Sequence, residues 1–336
     1  MRINCHTHIF SIDCVPLEFR ERFLLNTRRP VLGWLHGVVR RLLPPQCMLA
    51  GWLSIVDMSI AEIAARLLAE MDEAGIDICT PLMMDMAYCQ SFGGSVLPFE
   101  DQIAQTTAAV QAINTTAGRP RMLPFIAADP NRPDVVPLVI EALDSGAFKG
   151  VKVYPPMGFA PDDRRLYPIY EHCVAHSIPI TAHCQNGGVP GLHGYYKLAA
   201  PQRWEPVLAD FPTLTLDLAH NDRHHTRWQR RIATLIRTFP NVYTDISYGT
   251  EMWTKPARYF KHIKRMLADP SLRDRVLYGT DWYMGRCLWT EKTYLDWFRD
   301  YARRIFWCRV TFTPDDMNRL TDLNPRRFLS LTENAG

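Results

Sequence analysis

The 336-residue chain contains no Cys-x-x-Cys pair, no marked excess of either charge and no apolar run long enough to span a bilayer. Its nine cysteines are scattered through predicted strands and helices. That pattern points to reduced, buried thiols in a cytoplasmic protein and not to a disulfide framework. A formal charge of +3, with basic residues dispersed, gives no footing for nucleic-acid binding. The most apolar stretch, residues 33–56, carries Trp34, Leu35, Leu49 and Trp52. Arg40, Arg41 and the Pro44-Pro45 pair break it, well short of the roughly 20 continuous apolar residues a spanning helix needs. It reads instead as an amphipathic cap over an active site or as a surface for a homodimer. No Gly-x-Gly-x-x-Gly follows the first strand, which argues against a dinucleotide-binding fold. The few residues before His6 leave no room for a signal peptide, and no Pro/Ser/Gly-rich linker divides the chain.

What is present is a regular alternation. An apolar fraction of 47% and a charged fraction of 22% are ordinary for a protein with a substantial core. Short apolar runs rich in β-branched residues predict strands over 2–8, 76–84, 121–127, 150–154, 178–183, 214–220, 242–246 and 276–281. Helical spacing predicts helices over 61–74, 99–116, 133–143, 166–176, 201–211, 227–239, 255–268 and 290–306. Eight strand–helix alternations predict an α/β fold, a single (β/α)8 TIM-barrel domain over residues 1–336. An insertion at 11–59 after the first strand would emerge on the active-site face.

The first strand ends in His6-Thr7-His8. Strand alternation turns both histidines to one side and Cys5 and Thr7 to the other. Polar residues recur at the ends of later strands: Lys152 on the fourth, His183 on the fifth, His220 on the sixth and Asp281 on the eighth. Closing a barrel gathers such ends at one rim. Imidazoles plus a carboxylate suit a borderline divalent ion such as Zn2+. Three or four protein ligands leave a position for water, whose pKa the metal lowers to about 7. A nearby histidine can then move protons near neutral pH. His193, His224 and His225 read as loop or helix-start residues, Cys5 and Cys184 as core packing, and Met83, Met84 and Met86 as pliable packing.

The sequence resembles the amidohydrolase superfamily, in the amidohydrolase-related branch that includes aminocarboxymuconate-semialdehyde decarboxylase, γ-resorcylate decarboxylase and 2-pyrone-4,6-dicarboxylate lactonase. The resemblance spans nearly the whole chain. It rests on His6-x-His8, Gly150-Val151-Lys152, Thr181-Ala182-His183, Ala219-His220, Tyr278-Gly279-Thr280-Asp281-Trp282 and the closing Leu323-Asn324-Pro325-Arg326-Arg327-Phe328-Leu329. It implies His6, His8, His183 and Asp281 as ligands of one divalent metal, Zn2+ first, with Mn2+, Co2+ or Fe2+ as alternatives. It implies His220 as the acid/base residue, with Asp281 able to share that duty. Lys152 is expected to be unmodified and to contact substrate or support the site. Tyr154, Asn186 and Arg286 stand where they could also bind substrate, Arg286 by gripping a carboxylate. The expected function is a metal-dependent hydrolase of a C–O or C–N bond in a small carboxylated, lactone or amide substrate. The alternative is a metal-dependent decarboxylase (carboxy-lyase) of an aromatic or unsaturated acid. A barrel reduced to a scaffold is disfavoured because none of the expected ligands is missing.

Overall fold

Eight short parallel strands follow one another around a closed ring: β1 (Ile3–Thr7), β2 (Ile78–Pro81), β3 (Phe125–Ala128), β4 (Gly150–Val153), β5 (Ile180–His183), β6 (Leu216–Ala219), β7 (Val242–Asp245) and β8 (Val276–Leu277). The computed structural model of the chain describes residues 1–19, 58–90, 92–95, 97–188, 192, 194–222, 225–247, 254–287, 289–301 and 309–331. Continuous parallel ladders join β1 to β2 and β3 through β8 in order. Bridges from Cys79 to Met122 and from Leu82 to Phe125 link β2 to β3. The ring closes where the chain's first strand meets its last. Cys5 N–H donates to Tyr278 O at 2.8 Å, Asp281 N–H donates to His6 O at 2.9 Å, and Thr7 bridges to Trp282. This is the TIM barrel that the alternation predicts.

All the strand residues are buried. That is why their sequences are short apolar runs, without the polar alternation of a half-exposed sheet. The helices α1 (Ile60–Ala74), α2 (Phe99–Ala117), α3 (Val135–Asp144), α4 (Tyr167–Ala175), α5 (Glu205–Asp210), α6 (Thr226–Thr238), α7 (Pro256–Ala268) and α8 (Glu291–Asp296) come one after each strand. In α1 the sequence writes both ends. Ser59 and Glu62 form a reciprocal capping box, and Gly75 stops the helix in the left-handed region at φ 66°. Its Ile60, Ile63, Ala64, Leu67 and Met71 recur at helical spacing and are buried. In the eighth helix regular α structure ends at Asp296 and continues as a π-helical turn over Trp297–Tyr301, and residues 302–306 of the predicted helix lie outside the described residues.

The bottom of the barrel is shut by a small apolar cluster of Ile3, Ile78, Phe125, Tyr243, Leu277 and Phe328. Phe328 comes from the terminal helix Asn324–Phe328. Asn324 anchors that helix by donating to Arg273 O at 2.8 Å and Val276 O at 2.9 Å. With the bottom filled, polar chemistry is left to the opposite rim. Residues 20–57 lie outside the described residues, so the cap and homodimer readings of the insertion, with Trp34, Leu35, Leu49 and Trp52, fall there too. Among the described residues no helix is long and apolar enough to cross a membrane.

Candidate metal centre at the barrel rim

β1 is irregular where it matters. Its register against β2 shifts between Asn4 and Thr7, and Asn4 Oδ1 accepts the His6 backbone N–H at 3.1 Å. The shift leaves the His6 and His8 rings 5.4 Å apart. Both reach Asp281, which follows β8: His8 Nε2 lies 3.0 Å and His6 Nε2 3.4 Å from Asp281 Oδ1. All three residues are buried.

The outer ring nitrogens settle the tautomers. Leu82 O, 2.8 Å from His8 Nδ1, can only accept, so that nitrogen carries the proton. His6 Nδ1 donates to Asp245 Oδ2 at 2.6 Å. Burial opposes charge on Asp245, yet His6 beside it holds the carboxyl well below the usual carboxylate range. Burial, then the nearby Lys152 cation, lowers the His6 pKa and keeps the ring neutral. His6 Nε2 is thus a buried lone pair, and among the described residues it has no hydrogen-bond partner. Imidazole lone pairs converging on a carboxylate oxygen in a dry pocket repel one another unless a cation lies among them. A carboxylate fixing the far nitrogen of a ligating histidine is the usual support of such a cation. The donor set fits a divalent metal.

A second group adjoins the first through His6. The reactive atoms of His6, His220 and Asp245 lie within 4.8 Å of one another, as do those of His6, His8 and Asp281. His220 follows β6 and Asp281 follows β8, both in the left-handed region, at φ 70° and 55°. That conformation is costly outside glycine and is characteristic of functional sites. Asp245 Oδ1 accepts the His220 backbone N–H at 2.8 Å. Ser247 Oγ donates to Asp245 Oδ1 at 2.5 Å and lies 2.9 Å from His220 Nδ1.

The family model for amidohydrolases matches residues 3–331. The chain belongs to this family. Its members are metal-dependent enzymes, and the two His/Asp groups above are this chain's candidate ligands. Among solved structures, an uncharacterised TIM-barrel protein from Bordetella bronchiseptica is 21% identical over 98% of each chain, with a TM-score of 0.59. A probable 2-pyrone-4,6-dicarboxylic acid hydrolase from Acinetobacter baumannii is 10% identical over 98% of this chain and 99% of that one, with a TM-score of 0.59. A 4-oxalomesaconate hydratase from Rhodopseudomonas palustris is 16% identical over 98% and 96%, with a TM-score of 0.54. These likenesses bear on the fold alone. No curated protein matches the chain.

In this amidohydrolase the expected ligand His183 stands apart from the group of His6, His8 and Asp281. Its Nε2 faces Gly187 O at 2.8 Å and its Nδ1 meets His220 Nε2 at 3.0 Å. Burial, then the Lys152 cation, drives the His183 pKa down to about 3. Burial, then His183 and His6, lowers that of His220 well below the usual histidine range. Both rings are therefore neutral at physiological pH. Lys152 is 1% exposed and makes no ion pair within 4 Å among the described residues. Burial lowers its pKa to about 8, while Asp245, Asp281 and Asp217 favour its charge. It is a buried cation one layer beneath the histidines. Tyr154 packs its ring 4.4 Å from that of His183, centroid to centroid. Asn186 is exposed at the rim, and the Arg286 side chain lies outside the described residues. His193 and His224 are likewise outside them, and the His225 ring packs at a tilt against Trp228, 5.4 Å between centroids. Cys5 and Cys184 are buried in the core outside any disulfide, as expected.

Sequence reasoning missed Asp245 and Ser247. Asp245 was within reach, because it ends β7 as a polar residue on a strand of the same apolar type as β6 and β8. Ser247 was not, because its place depends on the path of the loop beyond β7.

Proposed function

We propose that this protein is a hydrolase that uses one divalent metal ion, most simply Zn2+, to cleave a C–O or C–N bond in a small carboxylated, lactone or amide substrate. The observation that carries the reading is the convergence of His6 Nε2, His8 Nε2 and Asp281 Oδ1, with His6 Nε2 buried and without a hydrogen-bond partner among the described residues. When bound, a divalent cation polarises a carbonyl and acidifies water. His6, His8 and Asp281 would hold it, and His183 would join them as a fourth ligand by giving up its contact to Gly187 O or to His220. His220 acts as the base. Its ring is neutral and so can take up a proton, and the Asp245 carboxylate beside it stabilises the resulting imidazolium. Lys152 supplies positive potential beneath the pocket that favours an anionic substrate, Asn186 orients it from the rim, and Arg286 grips its carboxylate. Tyr154 excludes water from the His183 side.

Metal analysis of protein purified without chelator tests this directly. About one divalent ion per chain is expected in the wild type, and stoichiometric metal should be lost with turnover in His6→Ala and in Asp281→Ala. Incubation with a panel of lactones, amides and hydroxybenzoates should release acid from one of the first two classes. Evolution of CO2 from a hydroxybenzoate would replace the hydrolase with a carboxy-lyase. Full activity in metal-free protein would remove the metal altogether.

A further inference from the structure

Behind β1 and β8, on the side away from the histidine rings, lies a second buried polar cluster that the proposed chemistry does not use. Asn4, Thr280 and Glu291 are all fully buried, and Glu70 of α1 is nearly so. Asn4 Nδ2 donates to Thr280 Oγ1 at 2.8 Å and to Glu291 Oε2 at 3.0 Å. The other end of the same amide, Asn4 Oδ1, accepts the His6 backbone N–H at 3.1 Å. Thr280, which immediately precedes Asp281, donates its hydroxyl to Glu291 Oε1. On the far side of Asp281, Trp282 Nε1 donates to Glu70 Oε2 at 3.1 Å, and the Glu291 backbone N–H points to that same oxygen at 3.5 Å.

We propose that Glu291 is a positioning residue for the metal centre: it fixes the His6 backbone through Asn4 and the Asp281 backbone through Thr280. The inference rests on the metal reading above. Two ligands from opposite ends of the chain then owe their separation to one side chain at the start of α8. The contacts explain why a carboxyl is tolerated there. No cation pairs with Glu291 among the described residues, and the nearest ion pair, Arg66 Nε to Glu70 Oε1 at 3.4 Å, belongs to its neighbour. Burial, reinforced by the charge of Glu70, raises the Glu291 pKa to about 8. An amide of the same shape keeps an acceptor for Asn4 Nδ2 and can donate to Thr280 Oγ1 once that hydroxyl turns, whereas a methyl group can do neither.

The test is the affinity of chelator-stripped, folded protein for Zn2+, read by competition with a chromogenic chelator at pH 7. Glu291→Gln should bind within about threefold of wild type, and Glu291→Ala about 10- to 100-fold more weakly. Thr280→Val, which keeps the shape but removes the hydroxyl, should weaken binding similarly and decides the matter if Glu291→Ala does not fold. Wild-type affinity in folded Glu291→Ala and Thr280→Val would overturn the positioning role while leaving the metal centre intact. Equal loss in Glu291→Gln and Glu291→Ala would also overturn it. Absence of Zn2+ binding by the wild type would instead bring down the metal centre, and this inference with it.

Discussion

Asp245 carries more of the site than its absence from any metal motif suggests. One of its oxygens takes the His6 Nδ1–H, while the other takes the backbone N–H groups of His220 and Ser247 at 2.8 and 2.9 Å. It thereby sets the tautomer of one histidine and the position of another. Asp245→Asn keeps the shape but removes the charge that draws the His6 proton to Nδ1. It is expected to bind metal about 10- to 100-fold more weakly, and chelator competition on folded protein would show it; unchanged affinity would mean that His6 is not a ligand. At this scale the sequence is legible where a rule of periodicity applies. His6, His8, His183, His220 and Asp281 all follow from strand ends. The partner each ring nitrogen chooses does not, because Leu82 O and Ser247 Oγ become neighbours only when distant loops meet, and Gly187 O only through the irregular path of the loop after β5.

At the level of elements, the seam between β8 and β1 is tightly filled. A Cβ added at Gly279 would sit 2.8 Å from His6 Cβ and 3.1 Å from Ser247 Cβ. Neither of those atoms can yield without moving its backbone. Gly279→Ala should therefore lower stability by about 1–3 kcal/mol and weaken metal binding at the same time. Thermal melting and metal titration would measure the two effects, and a wild-type result in both would contradict this packing. Strand and helix positions were readable from the apolar runs and from the stop signal at Gly75. The register shift in β1, the left-handed backbone at His220 and Asp281 and the π-helical turn after Asp296 were not. Each departs from the regular geometry on which periodicity depends, and the first two lie at the site itself, where strain is most often stored.

Over the whole molecule, buried acids set an unusual pH response. Burial, then the Asp85 charge, raises Asp129 to about 7 against the backbone hydrogen bond from Asn131, and burial raises Glu291 to about 8. Burial, then the charge of Asp245, lifts Asp217 well above the usual carboxylate range. The unfolded chain releases all three protons above about pH 5, so the folded state holds more protons and stability is lost as pH rises through the raised values. His183 and His220 act in the opposite sense, but only below about pH 6.5, where unfolded histidines take up protons. Lys152, lowered to about 8, opposes the trend only above that value. Between pH 6.5 and 8, metal-free protein should become less stable as pH rises. Glu291→Gln should flatten that slope by up to ~1.4 kcal/mol per pH unit. Urea titrations across the window would check both, and a stability that climbs with pH would contradict the assignment. The closure of the ring has one more consequence. Its first strand supplies His6 and His8, whereas Asp281 arrives some 270 residues later, a separation visible in the contact between them. On the proposed ligand set, the growing polypeptide lacks its one carboxylate ligand until nearly all of the barrel has been made, so a complete shell for the ion exists only once the last strand docks.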